Sequence, residues 1–393
     1  MKNDENIYYS RSVVKIIKKL IKSFPVVSIT GPRQSGKTTF LKHNYPNYKY
    51  YNLEDPVVLD RIKADPKEIL GDKNTKIIFD EVQRMPELLS YIQAHVDETQ
   101  KLGNILISGS QNLLVSDKIS QSLAGRAAYQ TIYPLSTLEL KKNNLYNQNK
   151  YTQMFFGGYP GIYSRKVNPN LFFRQYIATY VERDVRNIKN ITNLAQFQKF
   201  IKLLAGRVGQ VLNIASLAND TGISPNTAEE WISILEASYI VFRLQPYYAN
   251  TNKRLIKSPK VFFYDTGLLC ALLDIDSEKE LETHFSIGHI FENFIISDCI
   301  KLINNRQLAV KLYFFRDKHG NEVDLILDNG STQVPIEIKL SSTFNDNFLK
   351  GLEYWKNNFG NNETKPILIY GGNEEFKLKQ NKIISWGNIE NIL

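Results

Sequence analysis

Apolar residues recur along this chain in two rhythms. Short, nearly unbroken apolar runs at 26–29, 48–52, 76–79 and 104–108 read as strands. Between them lie stretches such as 87–99, where apolar positions return every three to four residues, the spacing of a helix with one buried face. Strands alternating with helices predict a parallel sheet covered on both faces. Segment 13–24 is basic and amphipathic and directly precedes the first strand. We expect a helix packed on the sheet there, with membrane attachment as the alternative. The turn cluster Phe156-Gly157-Gly158-Tyr159-Pro160-Gly161 closes this first unit, placed at residues 1–165.

The pattern then changes. Residues 171–186 form an expected helix with Phe172, Tyr176, Thr179 and Tyr180 on one face, and with Arg183 and Arg186 near its end in structural roles, contact with nucleotide on the first unit being the alternative. Segment 214–239 carries a helix-turn-helix pattern. Thr221-Gly222-Ile223 makes the turn, Ser224 caps the second helix, and Pro225 takes its first position. Runs 240–244 and 261–264 look like wing strands around Lys253, Arg254, Lys257 and Lys260. In such folds the second helix enters a DNA groove. Glu229 and Glu230 on that helix would repel phosphate, and the alternative role is a lid or a protein contact. These features define a middle unit at 166–258, a helical linker followed by a winged helix. In the last unit, 259–393, a strand at 323–327 meets the hairpin signal Asp328-Asn329-Gly330 and returns over 333–340. A helix spans 288–304. The expected fold class is α/β: a parallel-sheet domain, a winged helix, and a C-terminal α/β domain.

Chemistry enters at the end of the first strand. Gly31-Pro32-Arg33-Gln34-Ser35-Gly36-Lys37-Thr38 is a phosphate-binding loop in strand–loop–helix context, with Thr39 following. Its backbone N–H groups and the helix N-terminus suit an anion. Lys37 would reach the β- and γ-phosphates of ATP, and the Thr38 hydroxyl would ligate Mg²⁺. The third strand ends in Asp80-Glu81. We assign Asp80 to the Mg²⁺ shell and Glu81 to the base that activates water. The fourth ends in Ser108-Gly109-Ser110-Gln111. Ser110, with Gln111 second, is the candidate sensor of the γ-phosphate; a plain strand-to-loop turn is the other reading. Arg126, after Leu123-Ala124-Gly125, is the candidate arginine finger, or else an ion-pair partner.

The C-terminal hairpin carries a second set. Side chains alternate along a strand, so Glu337 and Lys339 share one face while Ile336 and Ile338 pack on the other. Asp324 on the neighbouring strand could meet Glu337. Paired carboxylates suit Mg²⁺ or Mn²⁺, and Lys339 could activate water. Glu292, at the border of an apolar helix face, completes a candidate metal site of Glu292, Asp324 and Glu337 with Lys339 catalytic. A salt-bridged cluster accounts for the same residues.

Composition adds limits. The chain has 393 residues, 42% hydrophobic and 23% charged, ordinary for a globular protein of two or three domains. No apolar run approaches the ~20 residues that span a bilayer, and the polar start is no signal peptide. Two cysteines give neither a disulfide framework nor a zinc site, which fits a reducing cytoplasm. Net charge +9 permits nucleic-acid binding.

Together these motifs resemble the prokaryotic AAA-type ATPases that join a P-loop domain to a winged helix and a C-terminal domain of unknown function with a nuclease-like fold. Further markers are Phe79-Asp80-Glu81-Val82-Gln83, Gly157-Gly158-Tyr159-Pro160, Phe263-Tyr264-Asp265-Thr266-Gly267-Leu268 and Phe291-Glu292-Asn293. The resemblance implies ATP binding and hydrolysis on a P-loop NTPase sheet, with a C-terminal α/β domain of restriction-endonuclease type. The expected function is an ATP-hydrolysing protein acting on DNA, with a metal-dependent nuclease domain and a homo-oligomer as the candidate assembly. The competing reading is an ATP-dependent switch whose winged helix and tail bind a protein partner.

Overall fold

The computed structural model describes residues 7–110, 123–181, 193–247, 257–360 and 364–392. Gln111, Arg183, Arg186, Lys253 and Arg254 lie outside them. The first sheet has strands β1 (Val26–Thr30), β2 (Lys49–Asn52), β3 (Ile77–Asp80), β4 (Ile105–Ser108) and β5 (Ala127–Thr131), in the order β2-β3-β4-β1-β5. All neighbours are parallel. The inner strands β1, β3 and β4 are buried throughout, which explains their unbroken apolar runs. Edge strand β5 escapes the sequence reading, because Ala-Ala-Tyr-Gln-Thr lacks an apolar run and only alternate residues are buried.

Helices cover both faces, as expected. Ile17 and Leu20 of helix Val14–Ile21 pack with Val27, Ile29 and Phe40 on one face. Leu88, Leu89 and Ile92 of helix Leu88–Thr99 pack with Val26, Phe79 and Ile107 on the other. The segment expected to be a packed helix is therefore one.

In the middle region, helix Pro169–Tyr176 buries Phe172 and Tyr176 and then passes into a π turn, Ile177–Val181. That wider turn rotates Thr179 off the apolar face and leaves it exposed, against expectation. Helices Ile214–Thr221 and Pro225–Ala237 meet at Gly222, and the Ser224 hydroxyl accepts from the Thr227 N–H at 3.1 Å. Trp231 is buried between Phe197 and Phe200, with ring centroids 5.3 and 5.2 Å away.

Strands β6 (Val241–Pro246) and β7 (Lys260–Phe263) form an antiparallel pair. The end of β6 then runs parallel to β8 (Lys311–Arg316). The pair thereby joins β9 (Glu322–Asp328), β10 (Gln333–Lys339), β11 (Ile367–Tyr370), β12 (Phe376–Leu378) and β13 (Asn381–Ser385) in one eight-stranded sheet among the described residues. The boundary read from sequence at 258/259 falls inside it. The β9–β10 hairpin forms where expected, the Asn329 side-chain oxygen accepting from the Ser331 and Thr332 N–H groups. Helix Ile287–Arg306 packs with Leu325, Ile336 and Ile338, and helix Lys350–Phe359 with Val323, Ile326 and Leu368. Among the described residues no helix is long and apolar enough to cross a membrane.

Candidate functional site

The loop between β1 and helix Lys37–Asn44 has the backbone that its glycines announce. A Cβ on Gly31 would come within 2.2 Å of the Ile132 carbonyl oxygen, and Gly36 caps the helix in the left-handed region, at φ 94°. Lys37 is buried and donates to the carbonyls of Gly31 (3.0 Å) and Pro32 (2.9 Å). The Ser35 hydroxyl is buried without a protein partner. Residues 33–39, except Ser35, border a cleft of about 700 Å³, with Glu81 at its wall.

Asp80, at the end of buried β3, collects three hydroxyl groups. Thr38 Oγ1 and Tyr50 OH each donate to Oδ2 at 2.6 Å, and Ser108 Oγ donates to Oδ1. Burial first, and then the charge of Asp80, raise the Tyr50 phenol well above its usual range, so it stays a donor. A hydroxyl has one proton and two lone pairs. Thr38 can therefore hold Asp80 and still offer oxygen to a hard cation such as Mg²⁺, and the donor set fits that ion.

Glu81 sits in the left-handed region, at φ 59°, uncommon for a residue with a side chain. Gln83 Nε2 donates to Glu81 Oε2 and to the Ser110 hydroxyl at 3.2 Å. Ser110 is thereby tied to the Glu81 carboxylate through Gln83, a link that spacing alone did not reveal. Arg126 is placed elsewhere. Its carbonyl accepts from Val26 N–H at the start of β1, and its guanidinium pairs with Asp97 at 2.5 and 2.9 Å. At about 3.3 Å per strand residue, β1 separates it from its own phosphate loop by roughly 16 Å. Arg126 thus stands in an ion pair with Asp97, at the far end of β1 from the phosphate loop of its own chain.

Two walls of the cleft were missed. Arg11 is buried and donates to the carbonyls of Ser35 (2.9 Å) and Tyr133 and to Glu139 Oε1 (3.2 Å). Glu139 is fixed by a capping box with Ser136, a signal readable from Ser-x-x-Glu. Nothing in the sequence marked Arg11. Helix Pro160–Arg165, just after the glycine pair, supplies Pro160, Gly161, Ser164 and Arg165 to the cleft. It is held from the C-terminal part of the chain, because Asp265 Oδ2 accepts from Gly158 N–H at 2.7 Å.

Asp324 and Glu337 meet at Lys339 on the β9–β10 pair, whereas Glu292 pairs with a different lysine. Lys339 Nζ lies 2.5 Å from Glu337 Oε1 and 3.5 Å from Asp324 Oδ2, and Asp324 also accepts from the Ile338 N–H at 2.8 Å. Burial, and then the nearby Asp324, raise Glu337 to about 8. Its Oε2 is buried without a partner, and a Cβ on Gly351 would come 2.9 Å from it. Glu292 comes instead from helix Ile287–Arg306, which packs on the sheet face of Ile336 and Ile338. Lys260 Nζ takes Glu292 at 2.9 Å and Glu322 at 2.7 Å. Burial pulls the pKa of Lys260 down, but Glu292 and Glu322 outweigh it and the net shift is upward. Among the described residues, no group of three or more His, Cys, Asp or Glu side chains could hold a metal ion. Glu292, Asp324 and Glu337 thus stand in two lysine-centred ion-pair clusters, and a cleft of about 700 Å³ is lined by Glu292, Glu322, Asp324, Lys260 and Lys339.

Residues 23–141 match the family model described as an AAA domain. Residues 147–279 and 287–389 match two further models, each described as a domain of unknown function. The chain is similar to the uncharacterized protein Rv2008c of Mycobacterium tuberculosis, 29% identical over 339 residues, covering 85% of this chain and 74% of that one. It is also similar to the uncharacterized protein MJ1544 of Methanocaldococcus jannaschii, 26% identical over 360 residues, covering 83% and 77%. Among solved structures, the Walker-type ATPase paby2304 of Pyrococcus abyssi aligns at TM-score 0.45 and 14% identity, over 68% of this chain and 96% of that one. The residues that match the AAA domain build the five-stranded parallel sheet and carry the phosphate loop, so this part of the chain is similar to AAA-type P-loop domains.

Proposed function

We propose that this chain hydrolyses ATP in the cleft above β1 and β3 and couples turnover to a grip on nucleic acid by its C-terminal cleft. One observation carries the first half: three hydroxyls from three elements converge on Asp80 beside a complete phosphate loop. Lys37 and the loop N–H groups would neutralise the β- and γ-phosphates. Bound Mg²⁺, held by Thr38 and oriented by Asp80, would screen the charge that builds as the terminal phosphoryl group departs. Glu81 would take the proton of the attacking water, and Gln83 holds that carboxylate with Ser110 within its reach. Mg²⁺-dependent phosphate release, abolished in Lys37→Ala, tests this half. Equal turnover in that variant would refute it.

The nucleic-acid half rests on net charge +9 and on a cleft where Lys260, Lys339 and Arg316 stand among the carboxylates of Glu292, Glu322, Asp324 and Glu337. Lys260 and Lys339 already hold Glu292, Glu322 and Glu337, and we read this pairing as favouring a grip over a cut. Plasmid incubated with Mg²⁺ or Mn²⁺ should stay supercoiled; nicking lost in Asp324→Ala would restore the nuclease reading.

The switch reading has its own support. Tyr159 OH lies 3.1 Å from Tyr176 OH, which reaches the Arg33 carbonyl at 3.5 Å, and the neighbouring Gly158 N–H is held by Asp265. Nucleotide in the loop therefore has a bonded route to the C-terminal part. ATP-dependent capture of a protein partner, with no oligonucleotide binding, would favour it.

A further inference from the structure

Phe285 is the most exposed large apolar side chain among the described residues, at 88%. It lies in the short link between helix Glu278–Thr283 and helix Ile287–Arg306 and borders the cleft that also holds Asp324, Lys339 and Arg316. Its ring is backed by His284, with centroids 4.4 Å apart at an interplanar angle of 32°. Burial holds the His284 imidazole below its usual pKa, so at neutral pH the pair is an uncharged two-ring platform.

The surroundings decide what such a ring is for. Thr283, Gly288 and His289 beside it are exposed, so Phe285 does not belong to a wider apolar patch. A protein-binding hot spot works in a well-packed pocket ringed by contacts that exclude water, whereas Phe285 stands open with exposed residues beside it. A nucleobase needs only one π-face and a cation near its phosphate. Arg316 and Lys339 on the same cleft are paired with Glu322 at 3.5 Å and Glu337 at 2.5 Å, yet keep 40% and 33% of their side chains exposed to an incoming phosphate. A Cβ on Gly288 would meet nothing within 4 Å, so the approach beside the ring is open.

We infer that Phe285 is a base-stacking platform that takes an unpaired nucleotide at the mouth of the C-terminal cleft, with Arg316 and Lys339 receiving the adjoining phosphates. The partner is single-stranded or locally opened nucleic acid rather than intact duplex, because a stacked base has no face to spare. This inference rests on the nucleic-acid half of the proposed function.

Fluorescence anisotropy of a labelled twenty-nucleotide single strand with the full chain tests it. Stacking on an aromatic side chain is worth about 1–3 kcal/mol per base, so Phe285→Ala should weaken binding about 5- to 150-fold. Phe285→Trp should bind as the wild type does, and its indole emission should be quenched by the strand. ATP turnover of both variants should match the wild type, which shows that they fold. If the wild type binds and Phe285→Ala binds equally well, or Phe285→Trp emission is unmoved at saturation, the platform is refuted and the nucleic-acid reading stands. If the wild type binds no strand at low salt, both fall together.

Discussion

Single side chains set the chemistry here through what they are tied to. Asp80 would be a costly buried charge if its oxygens were unpaired, and the hydroxyls of Thr38, Tyr50 and Ser108 remove that cost. Arg11 and Glu139 do the same for each other behind the phosphate loop, with 4% and 1% of their side chains exposed. Breaking a buried pair strands the partner charge, so Arg11→Ala should lose about 3–5 kcal/mol of stability in chemical denaturation. A loss within the noise of the titration would show that Arg11 is dispensable. Glu337 gives a pH prediction. Its native pKa stands near 8 against an ordinary 4.5, so across that window the native state holds more proton than the unfolded chain. Stability should fall as pH climbs through it. Glu337→Gln has no proton to release and should flatten that decline; an unchanged slope would contradict the raised pKa.

At this scale the loop, Asp80 and Glu81 were legible because their chemistry is local in sequence. Arg11 was not, since its partners lie 24, 122 and 128 residues away. The partner of Glu292 was hidden for the same reason: Lys260 is 32 residues back and on another element.

Elements show where local signals suffice and where they do not. The capped pair of helices around Gly222 and the Asn-Gly hairpin formed as read, because each is specified by neighbouring residues. The fusion of β6 and β7 with the C-terminal sheet was not legible. It depends on a two-residue parallel contact between β6 and β8. Helix Pro160–Arg165 is the element that links the two halves, and Asp265 is its anchor. Asp265 accepts from both Gly158 N–H (2.7 Å) and Leu268 N–H (3.1 Å), so an amide there would present a donor to a donor. Asp265→Asn should cost about 1–3 kcal/mol and raise the KM for ATP more than it lowers kcat, since it displaces a cleft wall rather than the reacting groups. Unaltered ATP kinetics in a destabilised protein would limit Asp265 to a structural role.

Among the described residues, a cleft lined by the phosphate loop lies on one sheet and a cleft lined by paired charges on the other. If the second grips phosphate, strand affinity should fall steeply and linearly in log–log form as salt rises. A flat response would favour the protein-partner reading. The account depends first on the N-terminal cleft, and the most direct measurement is steady-state phosphate release from Mg·ATP by the full chain, paired with nucleotide binding, for wild type and Glu81→Gln. Loss of a working general base should slow turnover about 10²–10⁴-fold while nucleotide still binds. Turnover undiminished in Glu81→Gln, or no nucleotide uptake by the folded wild type, would contradict it.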